Sequence, residues 1–327
     1  MLKKVFITGG AGYVGAVLVP ELLSKGYLVT VLDLMMYGEE VIDPNPNLVM
    51  VKGDIRDEKL LKKIIPGHDS VIHLACISND PSFELNPNLG KSINLDAFEP
   101  LVKISKAAGV QRFIYASSSS VYGVKEEKDV HEGMSLEPLT DYSKFKAECE
   151  ELLAPYQSDN FTTVTIRPAT VCGYSRRQRL DVVVNILTNL AYHKGEISVF
   201  GGKQFRPNIH IKDMAASYLL LLEAPKEKIA GEVFNVGFEN QTVSELASTV
   251  KKVIGENVKL ITTPTNDSRS YHISSERIKE KLGFVALNSI EEAVKDLKEA
   301  FEDGLLPNSF SDEKYLNIKV MQSIELK

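Results

Sequence analysis

The sequence predicts an α/β protein: a doubly wound, mostly parallel sheet with a smaller, mixed C-terminal lobe. Two observations carry the prediction. The first is a regular alternation of short apolar runs with longer segments whose apolar residues recur at helical spacing. The second is a glycine-rich junction, "TGGAGYVG", placed where the first apolar run gives way to the first helical segment. With 327 residues, 43% of them hydrophobic, the chain can bury the core of one large domain or of two sharing an interface.

Taken in order, "KVFITGG" is a short buried strand, Lys4 to Thr8, and "VGAVLVPELLSKG" a helix closing on Gly26. "YLVTVLDL" is a second strand ending near Asp33. "LVMVKGD" and "DSVIHLA" are two more strands, separated by the helical "RDEKLLKKII". "AFEPLVKISKAAG" is a helix leading into the strand "RFIYASS". A long helix, "DYSKFKAECEELLAPY", precedes one further buried strand, "FTTVTIRPATVCG". Beyond it the regularity loosens. "RLDVVVNILTNLAYHKG" is helical, "GEVFNVG" is a strand, and "TVSELASTVKKVIG" is a helix capped by Thr242 or Ser244. "IEEAVKDLKEAFEDG" is strongly amphipathic. The last stretch, from "PNSFSDEKYLN" onward, has no clear period and reads as a surface tail or an oligomer arm. Residues 1–171 are assigned to the dinucleotide-binding domain. Residues 172–327 form mainly the substrate lobe and tail, with some later segments returning to the first sheet.

The charge balance, 38 Lys plus Arg against 44 Asp plus Glu, is mildly acidic at −6 and offers no nucleic-acid surface. No basic run is long enough to suggest an anionic membrane. Cys76, Cys149 and Cys172 are too few and too scattered for a disulfide framework or a zinc motif, so no metal is expected. The opening "MLKKVFITGG" has too short an apolar run for a signal peptide, and no stretch reaches the ~18 apolar residues of a membrane span. A cytoplasmic protein is expected.

Gly9, Gly12 and Gly15 sit at the strand-to-helix junction. A turn without Cβ atoms lets backbone N–H groups and the helix N-terminus approach a pyrophosphate. Asp33, ending the second strand, is placed to accept both adenosine ribose hydroxyls and to repel a 2′-phosphate. Leu34, Met35, Met36 and Tyr37 follow it, with no Lys or Arg to neutralise such a phosphate. The pattern is that of a Rossmann-type site for NAD rather than NADP. Asp54, after the third strand, is either a contact for the adenine edge or a helix cap. Tyr13, Val14, Ile55, Leu74 and Ala75 complete the expected cofactor site.

"TDYSKFK" places Tyr142 and Lys146 four residues apart, on one face of a helix. A free phenol, with a pKa of about 10, is a poor base near neutral pH. A nearby ammonium and a positive nicotinamide ring both favour phenolate, and a fall of about three units corresponds to roughly 4 kcal/mol. Such a phenolate can take the proton of a secondary alcohol as its hydride leaves.

"TGGAGYVG", "HLA", "YASSSSVYG", Tyr142-x-x-x-Lys146 and "RPATVCG", in that order and over nearly the whole chain, resemble the extended short-chain dehydrogenase/reductase family. The subgroup suggested is its NAD-dependent nucleotide-sugar epimerases, dehydratases and reductases. The resemblance implies that Ser118 is the catalytic serine, with Ser117 to Ser120 otherwise equivalent. It further implies that Tyr142 is the acid/base, that Lys146 holds the nicotinamide ribose, and that Asn94 organises the backbone around the site. It implies a homodimer built through a four-helix bundle to which the Tyr142 helix contributes. A nucleoside-diphosphate sugar is the expected partner.

The departures from that family are as informative. Its 4,6-dehydratases carry an Asp–Glu pair directly after the catalytic hydroxyl residue, where this chain has Ser119 and Ser120. Its 3,5-epimerases usually place a cysteine at the position of Ser120. Chemistry at C4 remains, either epimerisation through a transient 4-keto sugar or net oxidation and reduction. Ser119, Thr170, Asn185, Arg206 and Arg269 are the expected substrate contacts, with Pro207 replacing the family's usual aspartate after Arg206. His210 reads as a packing residue rather than a catalyst. Thr170 stands where 4-epimerases usually carry asparagine, and "GYSRRQRLD" resembles a subset that includes 4-oxidases of nucleotide-linked heptoses. Arg176, Arg177 and Arg179 of that stretch either face sugar or phosphate or belong to a solvated loop.

Overall fold

The computed structural model describes residues 3–78, 80–265 and 270–324. Seven strands form the central sheet: β1 (Lys4–Thr8), β2 (Leu28–Asp33), β3 (Leu48–Lys52), β4 (Ser70–His73), β5 (Arg112–Ala116), β6 (Thr162–Pro168) and β10 (Glu232–Val236). Their order is β10-β6-β5-β4-β1-β2-β3, and every neighbouring pair is parallel. The central strands read as unbroken apolar runs because both faces are covered. Along β1, Val5 and Ile7 enter one core while Phe6 enters the other; along β5, Ile114 and Ala116 oppose Phe113 and Tyr115. Helices Gly15–Ser24 and Ile211–Glu223 pack together over the first face. Helices Glu58–Ile64, Phe98–Ala107 and Asp141–Leu153 cover the second.

Two small sheets make up the rest. β7 (Thr170–Cys172), β9 (Phe205–His210) and β11 (Glu239–Thr242) form a mixed three-stranded sheet, and β8 (Glu196–Phe200) pairs with β12 (Lys259–Thr263). Helices Val183–Lys194, Val243–Ile254 and Ile290–Glu302 pack on one another around a separate apolar core. Thr242, not Ser244, caps the second of these in a reciprocal pair with Glu245.

Three sequence expectations change. "FTTVTIRPATVCG" is two strands in different sheets. Pro168 has no N–H to carry β6 further along β5, while on the other edge Ala169 N donates to Val236 O (2.7 Å) and closes the pairing with β10 before the chain crosses over. β8, β9, β11 and β12 have no counterpart among the predicted strands. The C-terminal stretch is not a loose tail: it forms a helix, Asn317–Ile324, whose Asn317, Val320 and Met321 are buried.

Arg112 ties the two halves of the chain together. It is buried at the start of β5, where its guanidinium donates to the carbonyls of Leu221, Leu222 and Ala224. These are the orphan acceptors at the C-terminus of helix Ile211–Glu223, which a cation suits.

Candidate active site

The strand order reverses between β1 and β4, and the loops leaving their C-terminal ends part to open a crevice there. Two glycines let the chain pass. Gly9 has φ +73°, and a Cβ on it would lie 2.5 Å from Ala75 N in the loop after β4. A Cβ on Gly15 would lie 2.2 Å from Gly10 O, where only backbone can move. Asp33 braces the same turn, accepting from Ala11 N (3.0 Å) through Oδ2 and from Met35 N (2.8 Å) through Oδ1. Burial pushes its carboxyl pKa up, against the pull of those backbone N–H groups and of Arg177. Gly15→Ala is therefore expected to weaken NAD binding by about tenfold or more, the equivalent of ~1.4 kcal/mol. A titration on protein whose far-UV circular dichroism is unchanged checks this; unaltered affinity would mean that the turn tolerates the methyl.

The crevice opens into a cavity of about 660 Å³, within the range of small-molecule sites. It begins at Gly9, Gly12, Tyr13, Val14, Gly15 and Asp33, runs past Asp54, Ile55, Leu74 and Ala75, and reaches Ser118, Ser119, Tyr142 and Lys146. Thr170 and Arg206 line its far side. Most of the residues singled out in the sequence thus share one space. Asp54 is no helix cap: it pairs with Arg56 (2.6 Å), while Asp57 caps helix Glu58–Ile64.

Asn94, Asn185 and Arg269 are placed differently. Asn94 is buried behind the wall, accepting from Ile77 N (2.8 Å) and donating to Ile77 O (3.0 Å), and so fixes the backbone after β4. Asn185 is fully buried and does not face the cavity. Its amide accepts from Gly173 N (3.0 Å) and donates to Tyr13 OH (2.9 Å) and Arg179 O (2.8 Å). It pins the second lobe to the glycine turn. Arg269 lies outside the described residues. His210 is buried away from the cavity, where it caps helix Ile211–Glu223 and lies 3.2 Å from Asp296.

At the cavity's inner end, helix Asp141–Leu153 starts from a reciprocal cap between Thr140 and Ser143. It presents Tyr142 and Lys146 on consecutive turns beside the end of β5. Lys146 Nζ donates to Ala116 O (2.6 Å) and lies 5.8 Å from the centre of the Tyr142 ring. The four serines after β5 are not equivalent. Ser117 donates to the buried Glu150 carboxylate. Ser118 accepts from Ser120 N (3.1 Å) and lies close enough to the Tyr142 phenol to pull its pKa down. Ser119 reaches Tyr271 OH (3.4 Å).

Burial, reinforced by Cys76 and Asp80, pushes the Tyr142 pKa well above the usual tyrosine value, while Arg179 and Ser118 pull it down. Arg179 is thus a cation that lowers it, while Lys146 directs its ammonium at the Ala116 carbonyl.

Sequence reasoning left "GYSRRQRLD" open between site and solvent. Its loop, residues 173–181, straps the second lobe across the glycine turn. Tyr13 OH donates to Gly173 O (2.7 Å) and Ser175 Oγ to Tyr13 O (2.9 Å). Arg176 is exposed and pairs with Asp43, but Arg177 and Arg179 line the cavity. The segment's three charges signalled a role without showing a direction. Tyr271, Asn317 and Met321 also line the cavity and carried no signal.

Missing Cβ atoms at the turn, a carboxylate at the end of β2, and a Ser–Tyr–Lys cluster in the same cavity fit a nicotinamide dinucleotide. Fold and site together define an NAD-dependent enzyme built on a Rossmann-type sheet. The chain belongs to the NAD-dependent epimerase/dehydratase family, whose model matches residues 5–237. The uncharacterized protein y4nG of Sinorhizobium fredii is 31% identical over 77% of this chain, an alignment spanning 61% of that protein's length. The dTDP-glucose 4,6-dehydratase of Streptomyces niveus is 25% identical over 92% of this chain and 93% of its own. Among solved structures, UDP-glucose 4-epimerase of Thermotoga maritima with UDP-glucose superposes with a TM-score of 0.84 at 27% identity, covering 92% of this chain and 99% of that one. Among the described residues no helix is long and apolar enough to cross a membrane.

Proposed function

We propose that this protein is a nucleoside-diphosphate-sugar 4-epimerase working through a transient 4-keto sugar. The observation that carries the reading is the convergence of Ser118, Tyr142 and Lys146 with the glycine turn and Asp33 in one cavity that, among the described residues, offers no spare acid–base pair. Its carboxylates are engaged elsewhere: Asp33 by the turn, Asp54 by Arg56, and Asp181 by Arg179. Ser119 and Ser120 cannot supply the proton transfers that dehydration requires. The Thermotoga structure, an epimerase with UDP-glucose, supports a nucleotide sugar as the substrate class.

In this reading NAD, held by the glycine turn and Asp33, would supply the hydride acceptor and donor. Ser118 orients the C4 oxygen, and Tyr142 removes its proton and later restores it. Lys146 holds the nicotinamide ribose. Thr170 and Arg206 face the sugar nucleotide, arginine being suited to paired bonds with a phosphate. Helices Phe98–Ala107 and Asp141–Leu153, which pack side by side, supply the four-helix contact of a homodimer. A second reading, net oxidation or reduction at C4 with exchange of the cofactor, draws on Thr170 and on the arginine-bearing strap.

One experiment separates them. Denatured protein is assayed for released NAD, and the native enzyme is incubated with UDP-, GDP-, dTDP- and CDP-sugars without added cofactor. Stoichiometric NAD and an epimeric product are expected. Accumulation of NADH would select the dehydrogenase, and a 4-keto-6-deoxy product would select dehydration.

A further inference from the structure

Arg177 and Arg179 pose a problem that the C4 chemistry leaves untouched. Arg177 is 3% exposed, stacks on the Tyr37 ring with its guanidinium carbon 3.5 Å from the ring centre, and donates from Nη2 to Asn317 Oδ1. Its Nε and Nη1 are buried without an acceptor. Arg179 donates from Nε to Asp181 (2.8 Å) and from Nη1 to Ser78 Oγ (3.3 Å), while its Nη2 is buried without an acceptor. Three cationic N–H-bearing atoms thus lack partners inside a cavity wall. The nearby carboxylates do not serve them: Asp181 takes Arg179 Nε, and Asp33 is occupied by the backbone N–H groups of Ala11 and Met35. A buried charge without a partner is strongly unfavourable, so such a pair is kept for an acceptor that arrives. Burial pushes the Arg177 pKa down to about 10, which leaves it cationic at neutral pH.

The position identifies the acceptor. Arg179 is fixed opposite the glycine turn, because one Asn185 amide nitrogen donates both to its carbonyl and to Tyr13 OH. Arg177 is held beside Asp33 and Tyr37 at the end of β2. Planar guanidinium forks match phosphate oxygens in pairs. The turn offers N–H groups from one side, and the strap brings the unpaired N–H groups of two guanidiniums to the other.

We infer that Arg177 and Arg179 form the second half of a diphosphate cradle, closing over the glycine turn to hold the dinucleotide's pyrophosphate from the C-terminal lobe. The strap then serves to retain the cofactor between turnovers. This rests on NAD binding and not on the C4 chemistry, so the two fail independently.

The test titrates the full chain, freed of bound nucleotide over charcoal, with ADP-ribose, adenosine and UDP in a calorimeter. Arg177→Gln and Arg179→Gln should each weaken ADP-ribose binding by about thirtyfold or more. Adenosine and UDP should bind as they do to the unaltered protein. Unchanged ADP-ribose affinity overturns the inference. So does an equal loss for adenosine, which would show a structural role, or a loss confined to UDP, which would assign the arginines to the substrate's diphosphate. If the glutamine variants do not fold, Arg177→Lys and Arg179→Lys decide. They keep charge but not the fork, so a smaller loss for ADP-ribose alone is expected, and no loss overturns the inference.

Discussion

Tyr142→Phe is expected to lower turnover by about 10³-fold while leaving the fold and NAD binding in place. A positioned acid–base group typically contributes ~10²–10⁴-fold, and this substitution removes the hydroxyl while keeping the ring that packs against the second-face core. The loss should fall on kcat, since the ring still shapes the cavity. Burial holds the phenol protonated at neutral pH, and the base form is the one that accepts the alcohol's proton. The unaltered enzyme should therefore speed up as pH rises through neutrality, and the variant should lose that slope. Rates of product formation across pH, with bound NAD measured in parallel, check both. Full turnover by the variant would remove Tyr142 from the mechanism.

Glu150→Ala is expected to destabilise the protein by about 3–5 kcal/mol, because it strips the partner from a buried guanidinium. Arg167 and Glu150 have side chains only 5% and 8% exposed and meet at 2.6 Å. Arg167 also donates to Tyr122 OH (2.7 Å), which donates in turn to Asn235 Oδ1 (2.8 Å), and Glu150 accepts from Ser117. Desolvation works against the Arg167 charge, and the bonds to Glu150 outweigh it, so its pKa ends raised. Removing the carboxylate leaves that charge facing only a phenol and frees the serine next to Ser118. A fall in Tm on the order of 10 °C should follow. The double change Glu150→Met, Arg167→Met should recover much of it, since apolar residues of similar size replace such pairs well. A single-variant shift below about 2 °C would show that solvent or rearrangement compensates the arginine.

The sheet and the glycine turn were legible because each depends on local pattern: apolar runs, helical spacing, and glycine where Cβ atoms collide. Asp33 and the Tyr142–Lys146 pair were legible for the same reason, being set by position at a strand end or on one helix. Ser118 was not separable from its neighbours, because the distinction lies in Ser117's bond to Glu150 across more than thirty residues. The absence of cations after Asp33 was read from four adjacent residues, whereas the cation that faces it, Arg177, arrives from a distant loop. Asn317 and Met321 were hidden by a segment without clear period that only tertiary packing organises.

The seventh strand and the helix beside it have a consequence for biosynthesis. A nascent chain that has emerged only through residue 171 exposes one side of β6 and the apolar flank of helix Gly15–Ser24, and Arg112 has no carbonyls to receive it. Unpaired strand edges and bare apolar surface are what make incomplete chains stick to one another. The ribosome must deliver Val236 before the first sheet can close.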